Sequence, residues 1–169
     1  IGTSVEEWCN AKISEMEETI LSIGPDQIGC FIAEPILASG GVIVPPPGYH
    51  QRSRELCKKH DIVYISDETV TGFGRLGHWF ASKEIFGIQP DIITCAKGLT
   101  SGYLPMGAAI ISESLIDSIK NKDGSQPFTN GYTYSCHPVA AKAALTNIDI
   151  MSKDRILEHV RKISPHFQN

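Results

Sequence analysis

The sequence lacks an excess of positive charge: 15 lysines and arginines stand against 19 aspartates and glutamates, a formal net charge of −4 at pH 7. Nucleic acids and anionic membranes attract proteins through basic surfaces, so we expect neither as the main partner. The sequence also lacks an apolar run of the ~20 residues that a transmembrane helix needs. Residues 1–23 are acidic and helical in pattern, unlike a signal or transit peptide.

The sequence has few cysteines, and their arrangement excludes two kinds of site. They are five in number and form no C-x-x-C pair: Cys9, Cys30, Cys57, Cys95 and Cys136. An odd, scattered set, partly inside apolar runs, predicts reduced and buried thiols in a cytoplasmic protein. The six histidines show no spacing that pairs them with cysteines, so we expect no metal site.

Apolar segments with strand character alternate with amphipathic segments of helical spacing. Strands are predicted at 29–35, 61–68, 91–98 and 106–112, the first two as buried strands. Helices are predicted at 3–23, 49–60, 78–87 and 113–120, from about 137, and from about 153. Thr3 and Ser4, each followed three residues later by glutamate, predict a capping box for the first helix. The alternation predicts an α/β fold of three layers, with a mostly parallel sheet and helices on both faces.

Three charged residues stand at or just after the ends of predicted strands: Glu34, Asp67 and Lys97. In parallel sheets, ligands bind beyond the carboxyl ends of the strands. We therefore expect these three side chains to converge on one edge of the sheet.

The stretch after the second strand contains a literal G-x-G-x-x-G, formed by Gly72, Gly74 and Gly77. A dinucleotide site needs these glycines directly after a strand and directly before a helix, but here residues 67–71 intervene. Bulky residues also follow the last glycine, at 78–80. The glycines are therefore interpreted as loop residues, and a nicotinamide-dependent oxidoreductase is disfavoured.

Lys97 and Asp67 are stronger evidence for a cofactor site as a pair than as single residues. An isolated lysine at a strand end would extend into solvent, and an isolated aspartate could cap a helix or form an ion pair. A lysine set against apolar walls is a nucleophile for aldehydes, including pyridoxal phosphate. That cofactor also needs an acidic partner at its pyridine nitrogen, a role that Asp67 could fill.

Four segments of the sequence resemble successive blocks of the class III aminotransferases, which are pyridoxal-phosphate enzymes of fold type I. They read EPILASGGVIVPPPGY, ISDETVTGFGRLG, PDIITCAKGLTSGYLPMGA and GYTYSCHPVAAKAAL. The resemblance implies that Lys97 forms a Schiff base with the cofactor and then moves the substrate proton, and that Asp67 pairs with the pyridinium nitrogen. It also implies that Thr133 contacts the cofactor phosphate of a neighbouring subunit, so that the active enzyme is a homodimer.

The sequence departs from the family pattern at several positions. The second residue after the aspartate is usually apolar and lies on the cofactor ring, whereas this chain has Thr69 there, with Val70 next. Relatives acting on ornithine or 4-aminobutyrate usually have glutamine and glutamate where this chain has Leu37 and Ser39. These differences favour an enzyme similar to ω-amino acid:pyruvate aminotransferases, which moves an amino group from an ω-amino acid or amine to a 2-oxo acid.

Members of this family are more than twice as long, so residues 1–169 are expected to be part of the cofactor-binding large domain, without the C-terminal small domain. The absence of an initiator methionine agrees with this expectation. We expect the isolated piece to be inactive and to bind the cofactor weakly or not at all. Two alternatives stay open: a non-catalytic fragment or interaction module of such an enzyme, and an aminomutase or racemase.

Overall fold

The computed structural model describes residues 4–119 and 129–168. Within these ranges the strands are β1 (Cys30–Ala33), β2 (Val63–Asp67), β3 (Ile92–Cys95) and β4 (Ala108–Ile111). The helices are α1 (Val5–Ile23), α2 (Tyr49–Lys59), α3 (Ala81–Glu84), α4 (Glu113–Ile119), α5 (Pro138–Lys153) and α6 (Ile156–Gln168).

The first helix begins and ends where its sequence predicts. The Ser4 hydroxyl accepts the backbone N–H of Glu7, and the Glu7 carboxylate accepts that of Ser4, which completes a capping box. Gly24 ends the helix at a φ of 96°. The alternative cap at Thr3 lies outside the described residues.

The four strands form one sheet in the order β1-β2-β3-β4. The first three run parallel, and β4 runs antiparallel to β3. Parallel strands with intervening helices confirm the predicted α/β class and the mostly parallel sheet. The pairing also sets the ends of the first three strands side by side, which positions the residues that follow them.

The main core lies between α1, α2 and β2. Its buried members are Ile20, Leu56, Cys57, Ile62, Tyr64 and Ile88. His50 of α2 is buried beside them, with its Nδ1 2.9 Å from the Tyr64 hydroxyl and its Nε2 2.9 Å from the Pro35 carbonyl. Burial lowers the pKa of His50, so the ring is neutral, and the carbonyl requires the proton on Nε2.

The first predicted strand is not buried as expected. Along β1, exposed residues alternate with half-buried ones, and 57% of Ile32 is exposed. Among the described residues β1 has a pairing partner on one side only, β2. An apolar composition indicates a strand but does not show whether the strand lies at the edge of a sheet. The prediction from sequence therefore overestimated the burial of β1.

Several predicted bounds were also too long, above all that of the third helix. The segment predicted as helical over 78–87 forms a helix only at α3, because residues 78–80 complete the preceding loop. The expectation of buried thiols holds for Cys9, Cys57 and Cys95, whereas Cys30 and Cys136 are exposed. Over the ranges that the structure describes, no helix is both long and apolar enough to cross a membrane.

Candidate active site

The register of the sheet brings the predicted strand-end residues to one edge. Ala33 pairs with Ser66, so Glu34 follows β1 at the level of Asp67, the last residue of β2. Asp67 in turn pairs with Thr94 of β3, and Lys97 lies three residues further along. The three charged residues are therefore delivered by three adjacent parallel strands to the same end of the sheet, where α/β proteins bind ligands.

Asp67 is half-buried and held by its neighbours. Its Oδ1 accepts the backbone N–H of Thr69 and the hydroxyl of Thr94, each at 3.0 Å. Burial acts to raise the pKa of Asp67, but these hydrogen bonds and the charge of Lys97 outweigh it and hold the pKa below its ordinary value. The carboxylate is thus ionised at neutral pH and close enough to Lys97 to be stabilised by its charge.

Lys97 begins a 3₁₀ turn, Lys97–Leu99, directly after β3. Its backbone φ is 41°, a left-handed conformation that a non-glycine residue adopts at a cost of about 1–3 kcal/mol. The side chain is exposed rather than enclosed by the apolar walls that its sequence context suggested. The amine is therefore presented outward by a strained turn, a feature that is typical of functional sites.

Glu34 is brought to the same edge but contacts its own loop. Its Oε2 accepts the backbone N–H of Ala38 at 3.1 Å, which stabilises the turn after β1. Glu34 and Asp67 both line a cavity of about 920 Å³ that extends along β1 and α1. Leu37, at a position where the sequence departs from the family pattern, lines it as well.

The remaining predicted cofactor residues lie in two loops. Thr69 and Val70 follow Asp67 and are half-buried. Thr69 donates its backbone N–H to Asp67, so the residue after this acidic pair supports the carboxylate. Thr133 is exposed in the turn that precedes α5, and no contact joins it to Asp67 or Lys97 among the described residues.

Glu68 is the residue at this site that sequence reasoning missed. It is fully buried, and its carboxylate accepts hydrogen bonds from the Thr71 hydroxyl, the backbone N–H groups of Ala81 and Ser82, and the Ser82 hydroxyl. Glu68 thereby fastens the loop after Asp67 to the start of α3. Two acidic residues in succession at a strand end were a signal, because one must point inward when its neighbour faces the site.

Two of the three glycines of the G-x-G-x-x-G, Gly74 and Gly77, serve the packing of α6. Gly74 and Gly77 have positive φ values of 88° and 79°. A Cβ on Gly77 would lie 2.5 Å from the Cγ of Arg161 and 3.3 Å from the Leu157 carbonyl, both in α6. The glycines therefore allow a helix to approach the loop closely, which agrees with the prediction that they are backbone elements and not a dinucleotide site. No group of three or more His, Cys, Asp or Glu side chains within 4–119 and 129–168 could hold a metal ion.

The chain is similar in sequence to several aminotransferases. It is 45% identical over 155 residues to a putrescine–pyruvate aminotransferase of Pseudomonas aeruginosa, covering 91% of this chain and 33% of that protein. It is 44% identical over 170 residues to the mitochondrial gamma-aminobutyrate transaminase 1 of Oryza sativa subsp. indica, covering 99% and 32%. The chain therefore spans about a third of the length of the curated relatives it matches.

Solved structures show the same similarity in three dimensions. The ω-transaminase of Pseudomonas jessenii, in complex with PMP, superposes with a TM-score of 0.88 at 41% identity, over 96% of this chain and 36% of that one. An (S)-enantioselective ω-transaminase of Thermomicrobium roseum superposes with a TM-score of 0.85 at 42% identity, over 93% and 34%.

The profile of the family described as Aminotransferase class-III matches residues 2–169. With strand ends that deliver Asp67 and Lys97 to one edge of the sheet, and with relatives of this kind over nearly all of its length, the chain belongs to the class III aminotransferase family.

Proposed function

We propose that this chain is part of the cofactor-binding large domain of a longer pyridoxal-phosphate-dependent aminotransferase. The observation that carries the proposal is the placement of Asp67 and Lys97 at the same edge of the sheet. An ionised carboxylate and an amine stand at the ends of adjacent parallel strands, and the charge of the lysine lowers the pKa of the aspartate.

The chemistry of these residues fits pyridoxal phosphate. The cofactor needs an amine that binds its aldehyde and an anion at its ring nitrogen, and Lys97 and Asp67 supply both. Thr69 and Val70 follow the carboxylate and would lie beside the ring. When bound, pyridoxal phosphate supplies a ring that accepts electrons from the substrate carbon.

Each residue then has a defined task in amino transfer. Asp67 keeps its negative charge because Thr69 and Thr94 donate to Oδ1, and this charge would keep a proton on the ring nitrogen that it faces. Lys97 would hold the cofactor through Nζ, and its free amine would accept and return the substrate proton at Nζ. The left-handed backbone of Lys97 sets the direction in which its side chain leaves the sheet edge.

The substrate class that we propose is an ω-amino acid or amine as donor and a 2-oxo acid such as pyruvate as acceptor. Two observations support it: the replacement of the family's Gln and Glu by Leu37 and Ser39, and the similarity to a putrescine–pyruvate aminotransferase. Leu37 pairs with Ile43 through two backbone hydrogen bonds and lines the cavity beside Asp67, so its apolar side chain would favour an uncharged part of the donor.

We further propose a cytoplasmic homodimer in which Thr133 binds the cofactor phosphate of the partner subunit. Thr133 is exposed in a turn before the 16-residue helix α5, and a hydroxyl with nearby backbone N–H groups at such a turn is a suitable anion ligand. The free cysteines support a reducing compartment.

The test uses the full-length protein that carries this chain. With pyridoxal phosphate, putrescine or another ω-amine, and pyruvate, we expect alanine to form, and we expect Lys97→Ala to abolish its formation. Lys142→Ala, an exposed lysine of α5, is the matched control and should leave the rate unchanged. An active Lys97→Ala variant would overturn the assignment.

The same assay separates the alternatives that the sequence leaves open. With a ¹⁵N-labelled donor, an aminotransferase places the label in alanine, whereas an aminomutase or racemase retains it in the product derived from the donor. A non-catalytic fragment or interaction module would instead form no labelled product at full length. The exposed apolar residues along β1 are compatible with either role, because both require a covering surface.

A further inference from the structure

We propose that Asn147 is a positioning residue that holds the turn carrying Lys97. This inference rests on the proposed function, because it concerns the residue that would bind the cofactor. Asn147 lies in α5, 50 positions after the lysine, and no part of the sequence-based interpretation pointed to it.

The contacts of Asn147 enclose the turn that follows the lysine. Its Nδ2 donates to the Gly98 carbonyl at 2.8 Å and to the Leu99 carbonyl at 3.2 Å. Its Oδ1 accepts the hydroxyl of Ser101 at 3.0 Å. One side-chain amide therefore uses both of its polar atoms on three residues within four positions of Lys97.

The turn needs such contacts because its backbone is strained. Lys97 and Ser101 both adopt left-handed conformations, with φ values of 41° and 51°. Such conformations in non-glycine residues persist only where surrounding contacts enforce them. Asn147 contacts the stretch between the two strained residues, so it is placed to enforce both.

A second segment also packs against the same turn. A Cβ on Gly98 would lie 2.8 Å from the Cβ of Phe73, in the glycine-containing loop after Asp67. The turn is thus contacted both by the loop that follows Asp67 and by the amide of Asn147. Of these two contacts, only the amide is directional, because its hydrogen bonds have defined donors and acceptors.

The decisive variant is Asn147→Asp in the full-length, cofactor-loaded protein. It keeps the size of the side chain but sets an acceptor against two carbonyl oxygens. We expect kcat to fall about 10- to 100-fold, the effect of misplacing a reacting group by about 1 Å, while the KM of the amino donor stays near its original value. Backbone amide exchange, measured by mass spectrometry, should become faster in the peptide spanning 97–101.

Two further variants separate positioning from general stability. Thr146→Ala changes an exposed neighbour in the same helix and should alter neither kcat nor exchange at 97–101. Ser101→Ala removes one of the three hydrogen bonds and should give a smaller change of the same kind, which keeps the test decisive if Asn147→Asp does not fold.

The proposal is overturned if Asn147→Asp leaves kcat and local exchange unchanged, or if exchange rises throughout α5 and not in the turn. If the unaltered full-length protein transfers no amino group, the proposed function fails. The exchange rates at 97–101 would still decide whether Asn147 holds the turn.

Discussion

Asp67 and Glu68 are adjacent in sequence, but their side chains lie in different environments. The side chains of successive strand residues point to opposite sides, so Asp67 faces the sheet edge while Glu68 enters the interior. Asp67 is half-buried, near a lysine, and available to a ligand. Glu68 is fully buried and committed to four hydrogen-bond donors. Replacing the carboxylate by an amide is therefore expected to affect the free energy of unfolding differently at Asp67 and at Glu68.

Asp67→Asn is expected to change how stability depends on pH. The pKa of Asp67 is lowered in the folded chain from an ordinary value of 3.8, so its contribution to the free energy of unfolding is fully present above that value. It is lost as pH falls through the folded-state pKa. Urea unfolding should show a difference between the original chain and Asp67→Asn that is constant above about pH 5 and shrinks in more acidic solution.

The control for that measurement is Asp149→Asn, which alters an exposed aspartate of α5. Its difference from the original chain should be small throughout the pH range. If the difference for Asp67→Asn does not vary with pH, folding does not lower the pKa of the Asp67 carboxyl group, and the expectation is contradicted.

Glu68→Gln is expected to destabilise the chain by about 1–3 kcal/mol at pH 7. The N–H₂ group of the amide would replace either Oε2, which accepts the backbone N–H of Ala81, or Oε1, which accepts that of Ser82, and would leave a buried donor without an acceptor. Glu84 is an exposed glutamate of α3, the short helix that contains Ala81 and Ser82. Glu84→Gln should change the free energy of unfolding by much less. Equal losses in urea unfolding would contradict the role of Glu68 as the anchor of the loop.

At the scale of elements, the sheet and two helix contacts assemble the site. β2 and β3 deliver Asp67 and Lys97, α5 contacts the turn after the lysine, and α6 contacts the loop after the aspartate. The strands and most helices could be predicted from periodicity and capping, because these patterns act over neighbouring residues. The contacts of α5 and α6 could not, because they join segments about 50 and 80 residues apart.

Gly77→Ala tests the contact of α6. The new Cβ would meet Arg161 while the backbone is left-handed, with φ at 79°. Gly102→Ala is a matched control, since Gly102 has a φ of 77° and open space around it. Both variants carry the same backbone strain. Gly77→Ala should therefore lower the free energy of unfolding by about 1–3 kcal/mol more than Gly102→Ala does, because only Gly77→Ala causes overpacking. Equal free energies of unfolding would show that α6 does not press on this loop.

At the scale of the whole molecule, β1 forms an edge of the sheet among the described residues. Apolar side chains stay exposed around the cavity along β1, including Trp8, Ile32, Ile43 and Val44, which are 47%, 57%, 55% and 63% exposed. Exposed apolar groups of this extent are typical of surfaces that another segment covers. This agrees with the proposal that the chain is part of a longer protein, as does its span of about a third of its relatives.

Residues 1–169 alone are expected to bind pyridoxal phosphate weakly. Lys97 is exposed, and within 4–119 and 129–168 it is not enclosed by a surface that would shield the bound cofactor from water. Titration of the chain with the cofactor, followed by visible absorption, should show no saturable band at micromolar concentration, in contrast to the full-length protein. A tight stoichiometric band that Lys97→Ala abolishes would contradict this expectation.

The sequence by itself determined the α/β class and the candidate pair Asp67 and Lys97, because strand periodicity and strand-end residues are local features of a chain. The family followed from the resemblance of four continuous segments, which is likewise read from local sequence. Only the tertiary structure decided that Glu68 is a buried anchor, that Asn147 hydrogen-bonds the turn after Lys97, and that Gly74 and Gly77 allow a helix to approach their loop. The physical reason is common to all three: each depends on atoms distant in sequence meeting at hydrogen-bonding or van der Waals distance. The composition of a segment does not show which distant atoms that segment contacts.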